Sequence, residues 1–347
     1  MRKVSAGVIV AVIAGVLLLP ATAAAGAAPP RTPPLAKGTY VNVSVPRAAS
    51  TMAEDISDSG QIVGCFSRAH GPERGFSEQQ GKLTILTHRS GGRPSALTCP
   101  AAVSSTGAIV GSYEAKARPM HGFLYLHGIF KTINAPHAGP ESGEGTVAVG
   151  INKAGVIVGY YVTARRIEHG FVLRDGRFRT VDAPGAGRTP RGGTVLNGIA
   201  DDGTISGLYN SADGRQHGFW LRRGVFHRVS VPGAQDTAVV CISQHTRMLV
   251  GAYRVAGHRK SLGFTFRHGV YRTLREPLAG SDTIPQCGND SGEVVGFYFG
   301  SAEVFRGFQF TPAAAASPVV PGMRGRSAAP AAPGGFWPAR TGLRQAK

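Results

Sequence analysis

The chain is poor in acid. Its 347 residues hold 20 Asp plus Glu against 38 Lys plus Arg, a formal charge of +18. Several signatures are missing altogether. No G-x-x-x-x-G-K-[ST] stretch occurs, and the glycines sit in strands and hairpins rather than before a helix, which excludes a phosphate-binding loop. No D-x-[DN]-x-[DN]-G loop with a distal Glu occurs, so turns such as Asp201-Asp202-Gly203 read as hairpin geometry and not as calcium ligands. The sialidase-type S-x-D-x-G-x-T-W repeat is absent, and neither a Ser-His-Asp set nor a metal-ligand set stands out. No DNA-reading helix and no exposed stacking motif appear, which argues against nucleic acid as a partner. No cofactor is expected.

What is present is a repeat. The phrase G-x-I-V-G-x-Y, then H-G-F, then G-x-F-x-T-V-x-A-P returns roughly every 44–48 residues. The glycine of the "VG" pair falls at Gly64, Gly111, Gly159, Gly207, Gly251 and Gly296. The aromatic of the second phrase falls at Phe76, Phe123, Phe171, Phe219, Phe264 and Phe308. Both markers count six units. A period of that length belongs to a modular architecture of blades or solenoid turns. Unit five is degenerate, with Arg247-Met248-Leu249-Val250 in place of G-x-I-V.

The third unit shows the plan. Thr146–Asn152 is β-branched and apolar, Lys153-Ala154-Gly155 is a turn, and Val156–Val162 is a second apolar run. After a polar loop come His169–Arg174, the hairpin signal Asp175-Gly176, and Arg177–Asp182, stopped by Pro184-Gly185. The spacing predicts four short strands per unit. The second strand is apolar at successive positions, as in a strand buried on both faces. Six such units predict an all-β fold, a six-bladed β-propeller of four-stranded blades. A linear β-solenoid has shorter turns. The last unit lacks its G-x-F-x-T-V strand, and the missing piece stands at the start, in Gly38–Pro46. Strand Thr39–Val45 is therefore expected to pair with Arg306–Thr311 and remove an open edge.

The motifs Gly150-Ile151-Asn152 through Tyr161, His169-Gly170-Phe171 and Val181-Asp182-Ala183-Pro184-Gly185-Ala186 resemble the HAF-repeat family of predicted extracellular bacterial proteins. The resemblance spans about residues 38–311 and departs from the pattern at Arg74, Leu262 and Arg306, where His is replaced. It implies export and a repeat fold. It implies no reaction and no catalytic residue.

The ends differ from the repeat. Arg2-Lys3, an apolar stretch Ala6–Leu19, Pro20 and small residues to Ala28 follow the plan of a secretory signal peptide over residues 1–28. Residues 29–37 read as a linker, 38–311 as the propeller, and 312–347, rich in Pro, Ala, Gly and Arg, as a disordered tail. The mature protein is expected to be extracellular, without a membrane span.

Basic residues gather in loops after the second and fourth strands. Arg165, Arg166, Arg188, Arg191, Arg259 and Lys260 are the candidates for holding a polyanion. The acids interleaved in the same loops support a merely soluble surface instead. The recurring His121, His169 and His217 are expected to be structural, because a catalytic group normally occurs once. Only Glu54 and Asp55 are expected to put carboxylates on the channel-lining stretches of the first strands, which is weak support for acid–base chemistry. Four cysteines in an exported chain suggest two disulfides. Repeat positions favour Cys65–Cys99 and Cys241–Cys287; the rival is four small buried thiols. The leading reading is a secreted, non-catalytic binding or structural module, with an anionic cell-surface polymer or a carbohydrate as partner. The alternative is a secreted carbohydrate-active hydrolase or lyase with its site in the propeller channel.

Overall fold

In the computed structural model, residues 32–313 are described, apart from 116–117, 259, 281 and 301–303. The signal peptide expected over 1–28, all but the first two residues of the tail expected over 312–347, and the candidate Arg259 lie outside the described residues; Pro312 itself closes a strand, and the Ala313 N–H donates to Lys37 O at 2.9 Å. Among those residues every regular element is a strand. No helix of theirs is long and apolar enough to cross a membrane.

The strands fall into the six repeats. After β1 (Gly38–Val43), unit one holds β2 (Ser50–Ile56), β3 (Ile62–Ser67), β4 (Arg74–Gln79) and β5 (Lys82–Leu86). A two-residue hairpin, β6 (Arg89–Ser90) and β7 (Arg93–Pro94), leads to unit two: β8 (Leu97–Val103), β9 (Ile109–Glu114), β10 (Met120–Leu126) and β11 (Ile129–Ile133). Unit three is β12 (Gly145–Ile151), β13 (Ile157–Val162), β14 (Glu168–Arg174) and β15 (Arg177–Val181). Unit four is β16 (Gly193–Ile199), β17 (Ile205–Asn210), β18 (Gln216–Arg222) and β19 (Val225–Val229). Unit five is β20 (Ala234–Ile242), β21 (Leu249–Val255), β22 (Ser261–Arg267) and β23 (Val270–Leu274). Unit six has β24 (Thr283–Gly288), β25 (Val294–Phe299) and β26 (Phe305–Pro312), and β1 adds its fourth strand, with Thr39 opposite Thr311.

Within each unit the strands run antiparallel in sequence order. The second strands are buried along nearly their whole length, as the unbroken apolar runs require. The repeated aromatics Phe123, Phe171 and Phe219 are fully buried, each edge-on to the fourth-strand Phe130, Phe178 or Phe226. Such edge-to-face pairs add to the burial of the rings themselves.

Two features depart from the expected plan. Units two, three and four are not separate sheets but one 12-stranded sheet. Single parallel bridges, Met120↔Gly145 and Glu168↔Gly193, join them. Gly145 and Gly193 have φ of 107° and 127°, and a Cβ on either would run into the carbonyl of Met120 or Glu168. Only glycine fits such a seam. In addition, the stretch read as a linker is partly structured. The Ala36 N–H donates to Thr273 O at 2.8 Å, and the Thr273 N–H donates to Pro34 O at 2.9 Å, so residues 34–36 lie along β23. A free fourth-strand edge is covered by whatever extended chain passes it.

Consecutive units pack face to face. Val295 of unit six also shares a core with Ala53, Phe66 and Phe76 of unit one. One buried cluster draws a residue from every first strand: Met52, Leu97, Val147, Val195, Ala238 and Ile284.

Candidate functional site

All six first strands carry a β-bulge at the same register. A bulge leaves one residue unpaired and re-aims its side chain. The unpaired residues are Glu54, Ala101, Val149, Asn197, Val240 and Gln286, and all six line one cavity of about 50 Å³. That is room for a few waters, well below the roughly 300–1,000 Å³ of an ordinary small-molecule site. Burial, with the nearby Glu73 and Asp55 charges, pushes the Glu54 carboxyl up to about 8. Burial also pushes Asp55 up to about 7, although it accepts the N–H groups of Ile56 and Val103, both at 2.8 Å. Asp55 thereby ties unit one to unit two, and both of its oxygens are engaged.

The residue after each bulge explains the cysteines. There, neighbouring first strands come so close that units three and four carry Gly150 and Gly198; a Cβ on Gly150 would sit 3.0 Å from Gly198 Cα. Units five and six carry Cys241 and Cys287 at this place, joined as a disulfide with Cα atoms 5.1 Å apart. Cys65 of β3 and Cys99 of β8 are joined as well, with Cα atoms 5.0 Å apart. Both separations suit unstrained backbone.

Two of the three H-G-F histidines are placed alike, whereas His217 instead meets Ser211 Oγ through Nε2 and the Arg228 guanidinium through Nδ1, each at 3.0 Å. His121 Nδ1 meets Asn134 Oδ1 and His169 Nδ1 meets Asp182 Oδ2, each at 2.8 Å, and their rings stack on Tyr113 and Tyr161. They pin the end of the fourth strand to the third.

Of the six basic candidates, four come together. Loop 163–167 and loop 188–193 touch through Arg191 N–H donating to Arg166 O at 2.8 Å, with Arg165 and Arg188 exposed beside them. Arg166 is committed to the buried Glu144 at 3.3 Å, and Lys260 Nζ donates to Gly280 O at 2.9 Å. Two of the candidate cations therefore serve as loop ties.

A different group of side chains converges where the repeat breaks. In five units the turn between first and second strands closes over four residues, as Asn152 N–H to Val156 O. In unit five it closes over five, Ser243 N–H to Met248 O at 3.0 Å. The longer turn projects two groups. On one side His245 Nδ1 bonds Asp290 at 2.6 Å and lies 3.5 Å from Asp58, while its Nε2 lies 3.3 Å from Asp201. The bond to Asp290 raises the His245 pKa above its ordinary value. Burial works against ionisation of Asp290, but the Thr246 N–H and His245 outweigh it and hold the carboxyl low. Asp58, His245 and Asp290 are close enough to share a cation. Bonded as they are, His245 and Asp290 with Asp58 form a latch joining the turns of units five, six and one.

On the other side Thr246 and Arg247 border a groove of about 260 Å³ between units four and five. Trp220 and Phe266 supply its aromatic walls, and Thr204, Arg267 and His268 its polar ones. The Trp220 indole stacks on His227, with centroids 3.7 Å apart. Trp220 occupies a place held in the other units by Ser77, Leu124, Val172, Thr265 and Gln309. Asp202 bridges Arg222 at 3.2 Å and Arg247 at 3.5 Å. Partial burial opposes its ionisation, but Thr204 and these two guanidiniums hold its carboxyl below the ordinary range. Sequence reading missed this groove. The available signal was the break of the repeat at Trp220, together with the degenerate turn.

No protein-family model and no curated protein matches the chain. Solved structures do. AofleA from Arthrobotrys oligospora aligns at 13% identity over 80% of this chain and 86% of its own, with a TM-score of 0.51. The Aleuria aurantia lectin, described as a six-bladed β-propeller with a fucose recognition mode, aligns at 12% identity over 82% of this chain and 97% of its own, with a TM-score of 0.44. The gluconolactonase XC5397 from Xanthomonas campestris aligns at 13% identity over 86% and 99%, with a TM-score of 0.46. Likeness at such identity speaks to the fold alone.

Proposed function

We propose that this chain is an exported six-bladed β-propeller of the HAF-repeat type that binds carbohydrate without transforming it. Its ligand would seat in the groove between units four and five. The ring reading is supported by the cluster that takes one residue from each of six first strands, and by the packing of unit six on unit one. The observation that carries the binding reading is the meeting of two independent departures from the repeat. Trp220 and the lengthened turn Thr246-Arg247 lie far apart in sequence yet line one groove. Positions kept alike in all units maintain the fold; positions that differ in one unit are free to serve a ligand. An aromatic wall flanked by hydroxyl and guanidinium groups suits a pyranose, which offers an apolar C–H face and a rim of hydroxyls. The alternative, a carbohydrate-active enzyme, would have its site at the Glu54–Asp55 cavity, which at about 50 Å³ is smaller than the groove.

The test is a glycan-binding screen with the exported chain and its Trp220→Leu variant, each checked by melting temperature. Binding by the parent that Trp220→Leu abolishes, with the fold intact, is the expected result. Binding undisturbed by Trp220→Leu would move the site elsewhere.

A further inference from the structure

Resting on that reading, we propose that the groove selects an acidic sugar residue, a pyranose bearing one carboxylate or one sulfate ester. The lining contains Arg247, Arg267 and His268 and no carboxylate. Asp202, which pairs with the lining Arg247, is already shared between Arg222 and Arg247. Among the described residues Arg267 makes no ion pair, so its guanidinium is open to an incoming anion. The local balance is two or more cations against one acid, at a partly sheltered site beside Trp220 and Phe266.

Arg247 carries the argument further. It precedes the second strand, at the place where other units have Gly60, Gly107, Gly155, Gly203 and Gly292, all with φ between 72° and 90°. Arg247 adopts φ 55° there. A side chain in this region costs energy that glycine avoids. The turn, lengthened by one residue and carrying arginine in a glycine position, brings a guanidinium to the groove where the other units have no side chain. Guanidinium matches the planar, two-oxygen edge of a carboxylate or sulfate, and a hydroxyl rim alone does not call for it.

The experiment titrates the exported chain with methyl glucoside, glucuronate and glucose 6-sulfate at constant ionic strength, by calorimetry or ligand-observed NMR. The variants are Arg247→Gly, which restores the residue of the other units, and Arg267→Gln. The expected result is that at least one anionic sugar binds about tenfold or more tightly than the neutral one, and that Arg247→Gly lowers the affinity for the anionic sugar by a larger factor than that for the neutral one. Equal affinity for neutral and anionic sugars, or a preference untouched by both variants, overturns the acidic-sugar inference and leaves carbohydrate binding standing. Failure of all three sugars and of the wider glycan screen overturns the carbohydrate reading, and this inference with it.

Discussion

Units three and five are built on one plan and differ where it matters. Both bury a full phenylalanine, Phe171 and Phe264, behind a second strand without a break in its burial. Both bulge their first strand at the same register. The third unit turns on Lys153-Ala154-Gly155 and meets its neighbour through Gly150 against Gly198. The fifth turns on a longer loop ending in Arg247, and its seam to unit six is a disulfide. Thus the interior of the unit is held constant while turns and seams vary. A repeat fold confines specificity to its connections, because a change in the interior would have to be accommodated by both neighbours.

If the interiors are equivalent, truncating either phenylalanine should cost the same. Phe171→Ala and Phe264→Ala are each expected to destabilise by roughly 3–5 kcal/mol, as for a core aromatic. Chemical denaturation of the two variants checks this. A cost confined to Phe171 would show that unit five is less tightly built than its burial implies.

The seams should differ more than the interiors. Replacing Cys241 and Cys287 together by Ala removes a crosslink spanning 46 residues and is expected to cost about 2–4 kcal/mol. Peptide mapping of the unreduced protein must first find Cys241–Cys287 and Cys65–Cys99. Four free thiols, or other pairings, would dissolve the contrast between the Gly–Gly and Cys–Cys seams.

The fold was largely legible because its signals are local and repeated six times. Gly-containing turns, β-branched runs and the displaced fourth strand at Gly38–Val43 are all visible as letters. The bulges were not. Their residues are Glu54, Ala101, Val149, Asn197, Val240 and Gln286, which share no chemical type, so no motif marks them. The bridges at Gly145 and Gly193 were hidden because a glycine does not announce whether it turns the chain or admits a neighbour. The basic loops were visible as charge, but pairing with Glu144 and with the Gly280 carbonyl depends on tertiary approach. The groove was hidden for a related reason: Trp220 looks like one more apolar strand residue until the units are superposed.

Unit three adds a second kind of contrast, with solvent. Burial pushes Glu168 up to about 8, only partly relieved by Asn210. Glu54 is raised to about 8 and Asp55 and Glu73 to about 7, also chiefly by burial. A folded-state pKa above the unfolded value means that the native state holds protons which the unfolded chain has released. Stability from these groups is therefore full below about pH 4 and is lost as pH rises through about 7 to 8. Melting temperatures at pH 5 and pH 8 should show the decline. Glu168→Gln should flatten part of it, whereas a melting temperature that rises with pH would contradict the burial of these carboxyls.

The smallest effect is the most informative about the turns. Exchanging residues between the two units should change stability in opposite directions. At Gly155, φ is 72° and an added Cβ would meet nothing within 4 Å, so Gly155→Arg tests backbone strain alone. It is expected to cost about 1 kcal/mol, because a left-handed conformation disfavours any side chain. Arg247→Gly relieves the same strain but gives up an exposed pair with Asp202, worth about 0–1 kcal/mol, and loosens the unfolded chain. The net should lie within about 1 kcal/mol of the parent, neutral or slightly stabilising. Paired denaturant titrations of the two variants measure both terms. If Arg247→Gly instead destabilised by more than Gly155→Arg, arginine would be holding the turn together, and its place in the groove would be a by-product of structure.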